Sequence, residues 1–180
     1  AYFIGADQFQ KGVQNYFKRF AHRNASLKDF MTSLEKASGR DLERWQRSWL
    51  QTAGVNAIST DLQCEQGEIQ SLTLRQESIS GEEVVRPHAV LVALMGEQAG
   101  SLEVQKSYRV RLDSKSLQLE GAKGEPCPQV VFPNYKDHGY TVVKLSDSEL
   151  PVVSKKVSTI SSPLLRKMLW QSMWEMVVRS

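Results

Sequence analysis

The chain is predicted to be mainly β with flanking α: a small antiparallel β-sandwich of about seven strands, preceded by a three-helix segment and followed by a terminal helix. Three observations carry this. Apolar residues recur every three to four positions up to Leu50 and every second position from Val55. Turn-forming residues then punctuate the β-like half at short intervals. Finally, the stretch from Pro163 to Val177 is apolar around most of a helical circumference.

In the first segment, Phe9, Val13, Phe17 and Phe20 share one helical face, with Asp7 placed to cap it, and the pattern ends near His22, Arg23 and Asn24. Ser26 with Asp29 resembles a capping box for a second helix carrying Phe30, Met31, Leu34 and Ala37, which Gly39 should stop. Asp41 can cap a third helix with Leu42, Trp45, Trp49 and Leu50, ended by a left-handed Gly54. Strands are expected near 55–64, 68–78, 87–95, 101–112, 115–120, 128–132 and 139–146. The run from His88 to Met95 is apolar on both faces and reads as a central strand. Gly121 to Gly124 reads as a hairpin. Leu150-Pro151 should close the sandwich, with a linker to Ser158 before Ser161, Ser162 and Pro163 open the last helix. That helix is expected to fold back on the sandwich or to pair with a second copy, self-association running through Leu165, Leu169, Trp170, Met173 and Trp174.

Composition narrows the functional classes. The 180 residues are 41% apolar and 24% charged, ordinary for a soluble globular protein of at most two domains, with no membrane partner expected. The net charge of +3 comes from scattered residues, and Lys155-Lys156 and Arg166-Lys167 are not interleaved with aromatics, so no nucleic-acid partner is expected. Cys64 and Cys127 stand alone, without the dense spacing of a disulfide framework, and are expected to be free, partly buried thiols. The first residues form no signal peptide, and both ends look cut.

No residue is assigned a catalytic, cofactor-binding or metal role. His22, His88 and His138 are far apart, and neither C-x-x-C nor H-E-x-x-H occurs. His138 sits in a loop, Phe132 to Tyr140, whose Pro, Asn, Asp and Gly read as turn formers, Asn134 and Gly139 taking the unusual backbone angles. No G-x-S-x-G elbow appears, and Gly121 to Gly124 is too poor in glycine for a phosphate loop. The carboxylates Glu82, Glu83, Asp147 and Glu149 fall in expected turns and read as surface charges. Trp45 and Trp49, like Trp170 and Trp174, are four apart and read as core.

Several separated stretches carry a resemblance. They are Phe9-x-x-Gly12-x-x-x-Tyr16, the Asn24-Ala25-Ser26 corner, Asp29, Gly39-Arg40-Asp41-Leu42, and Trp45 and Trp49 followed by Thr52 to Asn56. Downstream come Phe132 to Asp137 with Gly139 and Tyr140, then Leu145 and Asp147, and lastly Pro163 to Arg166 with Leu169, Trp170 and Trp174. In this order they resemble the zinc aminopeptidases of the M1 family, aminopeptidase N type, with Val55-Asn56 nearer the bacterial forms. The resemblance implies that residues 1–53 are the tail of a thermolysin-like catalytic domain, 54–150 the β-sandwich domain, and 151–180 a linker and the first helix of a C-terminal helical domain. It also implies that the family's H-E-x-x-H helix, third zinc-binding Glu, G-x-M-E-N motif and catalytic Tyr precede this stretch. Tyr16 matches a structural position. The expected reading is a non-catalytic, cytoplasmic fragment of an enzyme that uses zinc to remove N-terminal residues from peptides. Its partners would be the missing catalytic and helical domains, and it would meet peptide substrates only through that parent. The alternative is a free-standing β-sandwich interaction module with helical docking elements.

Overall fold

The computed structural model describes residues 1–178. They form two compact units, 1–52 and the described residues from 53 onward. The first contains α1 (Ala6–Phe20), α2 (Leu27–Ser38) and α3 (Glu43–Leu50). Gly12 is buried on α1, and a Cβ there would lie 2.8 Å from Leu34 Cδ2, so only glycine lets α2 approach this closely. Ser26 and Asp29 form the expected capping box, and Gly39 closes α2 in the left-handed region at φ 65°. Three expectations about helix ends are corrected here. The N-cap of α3 is Leu42, not Asp41, and it makes no side-chain cap; Asp41, one residue further out, accepts from Glu43 N–H through Oδ1 at 2.8 Å. Gly5, not Asp7, holds the cap position of α1, and Asp7 lies within the first turn, where its charge faces the positive end of the helix dipole. The C-cap of α3 is Gln51, leaving Gly54 to begin the first strand. Ile4, Met31, Leu34 and Leu42 form this unit's core, with Phe9 and Trp45 against it.

The second unit is a sandwich with helices on one side. Strands β1 (Gly54–Glu65), β2 (Glu68–Gly81), β5 (Ser116–Gln118) and β7 (Val142–Val143) form one sheet, in the order β5-β2-β1-β7. The other, in the order β4-β3-β6, contains β3 (His88–Gln98), β4 (Ser101–Leu112) and β6 (Val130–Phe132). All pairings are antiparallel except β1 with β7. Alternation sorts the side chains. Ile58, Leu72 and Leu74 meet Val90, Val92 and Leu94 between the sheets. On the far face of the second sheet, Ala93, Met95 and Phe132 meet α4 (Glu149–Lys156) and α5 (Pro163–Val178) through Val153, Leu165 and Leu169. The central strand β3 is therefore buried on both faces, which explains its continuous apolar run.

The expected linker is instead α4 and a 3-10 turn over Val157–Thr159. Pro151 is tolerated because it falls in the first turn, where no N–H is required, and Val153 and Val157 are buried under the sheet. Glu149 is also buried rather than a surface charge. Its carboxylate accepts from Val131 N–H at 2.8 Å and from Ser146 N–H at 2.7 Å, joining β6 to the start of α4. On α5 the expected self-association set divides: Leu165 and Leu169 are core, while Trp170 and Trp174 are 60% and 66% exposed, so neither tryptophan is core. Met173 packs partly against the same core.

The cysteine expectation is overturned. Cys64 and Cys127 form a disulfide, their Cα atoms 6.0 Å apart. The tip of the β1–β2 hairpin is met by residues 124–127, with Ile69 N–H donating to Glu125 O and Cys127 N–H to Gly67 O, each at 2.8 Å, and this brings the thiols together. Both half-cystines are exposed. The hairpin expected at Gly121 to Gly124 is not formed: residues 120–122 make a 3-10 turn, and the strands on either side, β5 and β6, belong to different sheets.

Candidate functional site

The strongest concentration of buried polar chemistry lies at the start of β1. Arg86 is completely buried, and its guanidinium donates to Asn56 Oδ1 at 2.6 Å and to Ala53 O at 2.8 Å. Asn56 Nδ2 donates in turn to Gln76 Oε1 and to Val84 O, both at 2.8 Å. Gln76 Oε1 also accepts from Arg86 N–H, and Gln76 Nε2 donates to Ser114 O at 2.8 Å. The cluster ties β1, β2, the 84–87 segment and the turn after β4 into one polar layer. His88 follows two residues later and is buried, and desolvation together with the Arg86 charge pushes it from about 6.5 down to about 4, keeping the imidazole neutral. This arrangement fixes backbone; it presents no nucleophile beside a base.

The other histidines lie apart from it. His22 is exposed in the left-handed region after α1. His138 is exposed in the 132–140 loop, where partial desolvation, then Lys136 and Arg109, lower its pKa. That loop is braced by Asn134, whose Nδ2 donates to Gly139 O at 2.8 Å while its Oδ1 accepts from Gly139 N–H at 2.9 Å. The residues with positive φ are Lys136 and Asp137, not Asn134 and Gly139. Gly139 matters by closeness, since a Cβ there would meet Val90 Cγ1 at 2.9 Å. Tyr16 packs its ring edge-on to Phe30 at 5.2 Å, an aromatic contact within the helical unit.

Two concavities stand out. One, of about 640 Å³, lies beside β7 and is lined by Glu77, Ile79, Lys144, Glu175 and Met176, with Lys144 paired to Glu77. The other, of about 180 Å³, is apolar and lies in the helical unit among Phe3, Phe9, Met31 and Trp45. Among the described residues no three of His, Cys, Asp and Glu converge to hold a metal ion, and both thiols are committed to the disulfide, so the donor set does not fit a zinc ion. Sequence reasoning missed the Arg86 cluster because Asn56, Gln76 and Arg86 look like ordinary strand and loop polar residues. The one signal was the placement of Asn56 and Gln76 within otherwise apolar-alternating strands.

Residues 1–49 match the family model described as the Peptidase family M1 domain. The chain is 33% identical over 182 aligned residues to an aminopeptidase N of Streptomyces lividans, covering 97% of this chain and 21% of that protein. A puromycin-sensitive aminopeptidase of Caenorhabditis elegans is 26% identical over 91% of the chain and 17% of its own length. Aminopeptidase M1-B of Oryza sativa subsp. japonica is 24% identical over 92% of the chain and 19% of its own length. The chain thus spans about a fifth of the length of these relatives. With one segment matching the family model and similarity running through both structural units, the chain belongs to the M1 peptidase family.

Proposed function

We propose that this chain is non-catalytic framework within a zinc-dependent aminopeptidase that removes N-terminal residues from peptides. The observation that carries the reading is the similarity to aminopeptidases along 97% of the chain, against a fifth of the relative's length. In this reading residues 1–53 are the end of the catalytic domain, 54–150 the sandwich, and 151–180 the entry to a helical domain. The metal-activated water and its general base come from outside these residues. The three-layered packing of two sheets and α4–α5 supports a rigid spacer, because β3 is fastened on both faces. The exposed Trp170 and Trp174 then serve as a docking face for the remainder of the enzyme, and peptides are met only through that enzyme. No described helix is long and apolar enough to cross a membrane. Of the possible compartments, the exposed disulfide favours an oxidising one over the expected cytoplasm.

The test is hydrolysis of aminoacyl-naphthylamides by the 180-residue chain with zinc added. We expect no turnover above buffer, and turnover that a chelator abolishes would overturn the proposal.

A further inference from the structure

We draw no further inference here: the strongest candidate, the apolar cavity of about 180 Å³ among Phe3, Phe9, Phe30 and Trp45 in the helical unit, carries no proposal because nothing in the structure shows what fills or covers it.

Discussion

Arg86 carries a permanent charge into the interior, and its neighbours are arranged around that cost. Burying a guanidinium is tolerable only with good hydrogen bonds, which Asn56 Oδ1 and the Ala53 carbonyl supply. His88, in the same layer, is kept neutral because a second positive charge there would be both desolvated and repelled. The consequence is an acid-sensitive layer. The folded-state pKa of His88 lies near 4, below the unfolded value near 6.5, so the unfolded chain takes up the proton first. Its contribution is constant above about pH 6.5, and stability then falls as the pH drops to about 4, by about 3 kcal/mol in all. Urea midpoints measured between pH 7 and pH 4 should show this fall, and His88→Leu should flatten it. An identical pH dependence in the variant would remove His88 from the account.

At the level of elements, the strands show what was readable and what was not. Alternation and turn residues placed β1 to β4 within a few residues of their observed limits, because each strand pairs with a sequence neighbour across a short turn. The capping box at Ser26 and Asp29 was legible for the same reason: its partners are three residues apart. Contacts between distant segments were not. Glu149 reads as a surface charge until Val131 is brought to it, and α4 reads as a linker until Val153 and Val157 find the outer face of β3 and β6. Cys64 and Cys127, 63 positions apart, belong to the same class. Their bond clips residues 124–127 to the hairpin tip and shortens the unfolded chain across a long loop, which chain-entropy reasoning puts at about 4 kcal/mol. The double variant Cys64→Ser, Cys127→Ser should therefore melt at a lower temperature than the oxidised protein, and should match it once a thiol reductant is present. Equal melting of the oxidised protein and the variant would show that the backbone bonds of 124–127 hold that corner without the clip.

The second unit as a whole behaves as three layers whose middle sheet belongs to two cores. Ala93 and Met95 point to the helices while Val90, Val92 and Leu94 point to the first sheet, so a change on one side of β3 is felt through the strand on the other. Leu169 tests this, being fully buried on α5 under that sheet. Leu169→Ala should cost about 2–5 kcal/mol through lost burial and the cavity left behind. The loss should appear in the strands as well as in α5, with hydrogen exchange accelerating together at Val92 and Leu165. Trp174→Lys, one turn further along on the exposed side of the same helix, should leave that stability within about 0.5 kcal/mol. The pair separates the two faces of α5: one is part of the sandwich, and the other is free for whatever docks there. If Leu169→Ala loosened α5 alone and left the exchange of β3 untouched, the helix would be an appendage and the second sheet would be held by the inter-sheet core by itself.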